Sequence, residues 1–390
     1  MKPLAISAFT ATSALGRGSA AMLDALRRGA SGLKPNDFDR AELRAWIGRV
    51  AGLEDEPVTG ALAEFDCRNN RLAHLGLEQD GFREAVSRAR ARYGAGRVAV
   101  LLGTSTSGIL QTELAYRSRD AQGALPKRFD YRHAQNLFSV TDFVRRSLGL
   151  EGPAMTISTA CSSSAKVFAS AARYIEAGVA DAAVVGGVDS LCLTTLHGFT
   201  SLQLVSDEPC RPFDAARKGM SIGEAAGYAL VENAEPRGAA LVGYGESSDA
   251  YHMSTPQPEG EGALAAMRQA LERAGLEPAA IDYVNAHGTA TPANDRAEDR
   301  ALARLFGNQV PVSSTKGWTG HTLGAAGIIE AIVCLLALEH GLIPGTLNSS
   351  AVEPGLESMV VLQNRSARLR HALSNSFGFG GSNCSLVFAA

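Results

Sequence analysis

The sequence lacks the features that would send a chain out of the cell, into a membrane or onto a polyanion. Its six cysteines, Cys67, Cys161, Cys192, Cys210, Cys334 and Cys384, lie far apart, with no C-x-x-C pair and none of the density of a secreted disulfide scaffold. A reduced, cytoplasmic chain is the expectation. Lys and Arg number 37 against 40 Asp and Glu, a formal net charge of -3. No general field therefore pulls the chain toward nucleic acid or an anionic bilayer, and an acidic partner has to be met by a local patch. The first nine residues read as a short strand, not as a basic region followed by a long apolar one, so no export signal is expected. The longest apolar run, residues 328–338, carries Glu330 and is short for a bilayer, so it reads as a buried helix. No tract is of low complexity.

What is present is material for a large core. The chain has 390 residues, 45% hydrophobic and 20% charged, enough for one large or two ordinary domains. Glycine, at 41 residues, gathers at segment junctions such as Gly186-Gly187, Gly288 and Gly380-Gly381, where backbones turn tightly or approach one another. Short β-rich runs at 98–102, 182–185, 226–231 and 281–284 alternate with longer helical segments such as 262–274, which is α/β organisation with buried sheets. There is also a weak internal similarity. Residues 154–158 lead through a turn at Cys161 into an alanine-rich helix ending near Gly178, and residues 310–314 lead through a turn at His321 into a small-residue helix ending near Gly341. Two related halves, each offering a helix N-terminus to a shared site, follow from that pattern. Turn signals at 233–238 place the boundary, giving halves 1–236 and 237–390, and the charged stretch 35–59 reads as a loop or insertion.

Cys161, in Thr159-Ala160-Cys161-Ser162-Ser163-Ser164, stands where a strand gives way to a helix. Unpaired N–H groups and the positive dipole end favour a thiolate there and can bind an oxyanion, as a thioester-forming nucleophile requires. An isolated cysteine is more often inert packing, so context has to decide. Two of the eight histidines, in Asn285-Ala286-His287-Gly288-Thr289 and in Thr315-Lys316-Gly317-Trp318-Thr319-Gly320-His321, follow strand-like runs among glycines and hydroxyls. Claisen condensation needs a thiolate for the first acyl group, donors that polarise the second thioester as it loses carbon dioxide, and an oxyanion hole. One cysteine and two histidines cover those needs, whereas a Cys–His protease would leave the second histidine and Lys316 without a task.

Together with Arg211-Pro212-Phe213-Asp214, Gly223-Glu224 and the run from Asn375 through Phe377-Gly378-Phe379-Gly380-Gly381 to Asn383, these motifs make the chain resemble an elongating β-ketoacyl-acyl-carrier-protein synthase of the thiolase-like superfamily. The motifs stand in the family's order over most of the chain. The resemblance implies a layered αβαβα fold of two similar halves, assembled as a dimer. It implies that Cys161 accepts the acyl group, and that His287 and His321, as neutral imidazoles, bond the malonyl thioester carbonyl. No metal and no cofactor are implied. Lys316, Asp295 and Glu298 match a buried network that orients the site, and Phe379 matches a gate whose N–H joins that of Cys161 in the oxyanion hole. Phe199 matches an acyl-pocket aromatic, and Thr106 a pocket position near the subunit interface. Carrier-bound substrates imply docking of an acidic acyl carrier protein, for which Arg68 and Arg71 form the expected patch, with Arg27-Arg28 or Arg145-Arg146 as alternatives.

The chain also departs from the pattern: Arg217-Lys218-Gly219 stands for Arg-Asp-Gly, Ala225 and Ser382 replace a glycine and a threonine, and Trp318 adds bulk near the expected pocket. Acyl length and the fatty-acid or polyketide or aryl-polyene pathway stay open, as does a homodimer against a heterodimer with a chain-length-factor-like subunit. Two other identities compete. A non-condensing chain-length factor typically lacks the nucleophile, and a thiolase acting on coenzyme A thioesters uses a second cysteine, here Cys384.

Overall fold

The computed structural model describes residues 1–39 and 41–390. The main strands of its large sheet fall into two sets. The first contains β1 (Leu4–Ser13), β2 (Val98–Gly103), β3 (Ala154–Ile157), β4 (Ala182–Asp189) and β5 (Ala225–Glu232), and the second β6 (Ala240–Ser248), β7 (Tyr283–Asn285), β8 (Pro311–Ser313), β9 (Met359–Val360), β10 (His371–Gly378) and β11 (Ser382–Ala389). The first set is ordered β1-β5-β4-β2-β3 and the second β6-β11-β10-β7-β8, with β9 added outside β8. In each, the first two pairings are antiparallel and the next two parallel. The halves thus repeat one topology, and they meet where Leu4 and Ala5 pair with Leu241 and Ala240.

Four helices matter for the site: α1 (Ser163–Glu176), α2 (Glu261–Ala274), α3 (Pro292–Phe306) and α4 (Ala326–His340). Helices α1 and α4 pack on each other and on strands of both halves, so they form a central layer. Helices Arg68–Leu77, Phe82–Tyr93 and Phe138–Ser147 cover the outer face of the first sheet, and α2 that of the second, which completes five layers, αβαβα. Strands sandwiched between helices bury both faces, and β2, β4 and β5 are buried at every residue. The three large apolar clusters match the spaces between layers: one around α1 and α4, one under each outer cover.

Central position explains the composition of α4. From Ala326 to Leu338 every residue is buried, so no polar face is required and the pattern reads as apolar all round. The stretch Leu323–His340 is as long and apolar as a membrane span, yet it is the core helix of this fold. The segment expected as a loop at 35–59 contains short strands instead: Lys34–Pro35 and Trp46–Gly48 build a small sheet with Ile222–Gly223. Strands of two or three residues are too short to show an alternating pattern.

Candidate active site

The two turns singled out in the sequence converge between the halves. Strand β3 ends at Ile157, Ala160 adopts a left-handed φ of 51°, and Cys161 follows just before α1 begins. A non-glycine residue in that region is strained and stays there only where the surrounding structure holds it. From the other side, His321 precedes α4, and its backbone is fixed to Ser221 O (2.7 Å) and the Gly223 N–H (2.9 Å). His321 Nε2 lies 3.0 Å from Cys161 Sγ. His287, reached from the end of β7, stands edge to face with His321 at a centroid distance of 5.3 Å.

All three are buried in one chain of contacts. Lys316, 2% exposed, makes an ion pair with Glu330 of α4 and donates to the His287 carbonyl, and its Nζ lies 3.3 Å from His287 Nδ1. An ammonium has no lone pair, so His287 Nδ1 accepts and the ring proton resides on Nε2. Burial and the Lys316 charge hold both histidines well below the usual imidazole value, so both are neutral at pH 7. Burial pushes the Cys161 thiol up to about 12, against the pull of Lys316 and of the Phe379 N–H. Desolvation thus opposes the thiolate that the helix N-terminus favours, and Cys161 Sγ rests against His321.

Glu298 and Asp295 of α3 are not on a solvated face. Glu298 accepts the N–H groups of His287 and Gly288, each at 2.8 Å, and burial raises it to about 7 despite those bonds. Asp295 accepts from Phe213 (2.8 Å) and Ala290 (3.2 Å) and faces Arg217 Nε at 3.4 Å. Gly288 has no room for a side chain, since a Cβ would stand 2.5 Å from the Ser314 Cβ.

A cavity of about 360 Å³ opens on the three residues. Phe199, Leu202, Leu204 and Met220 give it an apolar wall, while Thr289, Thr291 and Asn294 give it a polar one. Phe379 sits on the turn between β10 and β11, its ring 5.6 Å from that of Phe199. The turn is pressed onto the nucleophile's loop, because a Cβ on Gly378 would lie 2.6 Å from Thr159 O. The atoms of Cys161, His287 and His321 that could bind a metal lie within 4.8 Å of one another. One of those histidines, however, has the Lys316 ammonium 3.3 Å from its Nδ1, and that positive charge opposes a cation.

Several expected positions differ. Thr106 bonds Asp189 through its hydroxyl and N–H, both at 2.9 Å, and is not among the residues lining the single chain's cavity. Trp318 is 1% exposed in the central core, with its indole N–H on Gly345 O (3.2 Å), and does not reshape the pocket. Arg68 and Arg71 do not form a free basic patch. Arg68 is buried, with Nε on Glu224 Oε2 (2.9 Å) and a second nitrogen on Oε1 (2.6 Å), and Arg71 is paired in both positions with Asp66 at 2.6 Å. Charges already matched inside the fold pull less on an acidic carrier than free ones. Cys384 is buried within β11 and does not reach the cavity, which removes the second cysteine a thiolase needs. The sequence reading gave no role to Glu330 or Glu224. Glu330 was visible as the lone charge in an apolar helix, a signal that a cation must face it.

Residues 1–237 match the family model described as beta-ketoacyl synthase, N-terminal domain, and residues 238–350 the corresponding C-terminal domain. A 3-oxoacyl-[acyl-carrier-protein] synthase 2 of Staphylococcus aureus is 36% identical over 376 residues, which cover 88% of this chain and 93% of that one. The mitochondrial 3-oxoacyl-[acyl-carrier-protein] synthase of Arabidopsis thaliana is 42% identical over 269 residues, 63% of this chain and 58% of the plant sequence. Among solved structures, a ketosynthase in complex with its chain length factor from Xenorhabdus doucetiae is 39% identical with a TM-score of 0.90, covering 100% of this chain and 98% of its own. The ishigamide ketosynthase/chain length factor is 27% identical with a TM-score of 0.89, covering 100% and 99%.

Proposed function

The chain belongs to the β-ketoacyl synthase family, and from that premise we propose how its own residues divide the reaction and in what assembly they act. Its activity is that of an acyltransferase, a 3-oxoacyl-[acyl-carrier-protein] synthase that joins a cysteine-bound acyl group to a malonyl unit in fatty-acid or polyketide chain elongation. The observation that carries the division of labour is the 3.0 Å contact of His321 with Cys161 beside a neutral His287.

In the first step Cys161 Sγ attacks the acyl thioester. Its proton leaves through His321, the carrier thiol departs, and the acyl chain lies along Phe199, Leu202, Leu204 and Met220. In the second, the malonyl thioester carbonyl takes an N–H bond from His287 Nε2, and one from His321 once the ring's single proton has moved from Nδ1 to Nε2 through solvent. The bond to the carboxylate breaks, carbon dioxide leaves, and the enolate carbon attacks the acyl carbonyl. The N–H groups of Cys161 and Phe379 hold the resulting oxyanion until the Cys161 thiolate is expelled and reprotonated. The Phe199–Phe379 contact closes the two substrates' sides from each other until the acyl chain displaces it. Incubating the chain with acyl and malonyl carrier thioesters and following carbon dioxide together with the 3-oxoacyl product tests the reading.

The assembly is a dimer through β3. Among the described residues that strand pairs with β2 on one side only, leaving its other edge open, and Leu137, whose carbonyl meets Thr156 of the strand, and the following Phe138 are each 41% exposed. An open edge with apolar neighbours fits a second subunit, either a copy of this chain or a chain-length-factor-like protein such as those seen with related ketosynthases. We place the boundary between halves at 236/237, a reading supported by the turn between β5 and β6. Six free, buried cysteines fit a reducing cytoplasm.

A further inference from the structure

Asp189 ends β4 and is fully buried. Its two oxygens accept from Thr104 Oγ1 (2.6 Å), from the Ser105 N–H (2.9 and 3.0 Å) and hydroxyl, from the Thr106 N–H and Oγ1 (both 2.9 Å), and from the Gly324 N–H (2.6 Å). Every neighbour is a donor, a set that suits an acceptor-only carboxylate. The donors come from two places, the turn that follows β2 and the turn that follows His321.

The second turn is held at both ends. Ser221 and Gly223 fix the backbone of His321, and Asp189 fixes Gly324. Between these anchors Leu323 takes a left-handed φ of 54°. That conformation is strained for a non-glycine residue and persists only where its surroundings over-determine it. Gly324 fits without slack: a Cβ there would lie 2.7 Å from Asp189 Oδ2 and 2.8 Å from the Ser105 nitrogen.

We propose that Asp189 is a positioning residue for condensation: by clamping Gly324 to the turn of Thr104, Ser105 and Thr106, it sets where His321 Nε2 meets Cys161 Sγ. The role rests on the condensing reading above. It acts through His321, since Asp189 touches neither the cysteine nor the cavity.

Asp189→Asn keeps the size of the side chain but turns one acceptor into a donor that faces donors. Condensation per acylatable Cys161 is expected to fall by about tenfold or more, with KM for malonyl carrier changed by less than about threefold. The pH profile of Cys161 alkylation should shift as well, because the His321 contact is loosened. A residue that served folding alone would lower the fraction of acylatable enzyme and leave both readouts untouched in what remains. Gly324→Ala, which leaves Asp189 intact and pushes the turn away from it, should reproduce the pattern and decides the matter if Asp189→Asn does not fold. Wild-type condensation per acylated cysteine and a wild-type alkylation profile in the folded variants would overturn the role. Failure of the unaltered chain to condense any carrier pair would instead remove the premise beneath it.

Discussion

Lys316 Nζ joins Glu330 on α4 to the carbonyl and Nδ1 of His287, so one buried ammonium neutralises a core carboxylate and fixes which nitrogen of a catalytic imidazole carries the proton. Lys316→Met leaves Glu330 buried with Ser376 as its remaining partner at 3.2 Å. Breaking a buried pair from one side costs about 3–5 kcal/mol, whereas replacing both partners with apolar residues is often neutral. Lys316→Met should therefore lose stability in urea unfolding, and Lys316→Met with Glu330→Met should regain most of it. Neither should recover condensation. Activity that returns along with stability would reduce Lys316 to a packing role.

The roles of the two residues in 3.0 Å contact separate by partial reaction. Cys161→Ala should form no acyl adduct while keeping its fold. His321→Ala should still be acylated, more slowly, and lose malonyl decarboxylation by about a hundredfold or more. An unimpaired condensation rate in His321→Ala would take that residue out of the mechanism.

Stability should carry a pH signature from Glu298. Burial raises it to about 7, so between the ordinary carboxylate value and 7 the folded chain holds a proton that the unfolded chain has released. Raising pH through that window removes stability, on the order of 3 kcal/mol. The buried neutral histidines act with the opposite sign, because the unfolded chain takes up their protons as pH falls below the ordinary imidazole value. Comparing wild type with Glu298→Gln at each pH isolates the carboxyl. The variant should gain on the wild type as pH rises from 5 to about 7.5, and parallel stability curves would place Glu298 in an ordinary environment.

The arginines first read as a docking patch behave differently. Arg68→Ala strands Glu224, which is 0% exposed, and should destabilise by about 3–5 kcal/mol. Arg71, paired at the surface with Asp66, should cost under about 1 kcal/mol. KM for carrier substrates should stay the same in Arg71→Ala, and a rise of about tenfold would restore it to the docking surface.

Much of this was legible because the chemistry sits on strand-to-helix turns. Cys161, His287 and His321 each follow a strand-like run, and the repeated strand–turn–helix pattern makes the two halves readable in the sequence itself. The long helix α4 was visible as an apolar run, but only packing shows that Glu330 within it answers Lys316. Arg68 illustrates the converse. A basic residue near the start of a helix looks exposed in sequence, and nothing local reveals that Glu224, distant in the chain, reaches it. Asp189 was silent for the same reason, since all six groups it holds arrive through tertiary folding. The helix end at Cys161 was readable because it is local, and the desolvation that opposes it was not.

The central claim, a Cys161-bound acyl chain condensed by two neutral histidines, is met most directly by intact-protein mass spectrometry. The chain is incubated with a panel of acyl-carrier thioesters, followed by malonyl carrier and product analysis. The account predicts one acyl adduct per chain, located at Cys161, that disappears on addition of malonyl carrier as carbon dioxide and a 3-oxoacyl product form. An adduct that persists in Cys161→Ala, or one on Cys161 that malonyl carrier never consumes, would contradict it.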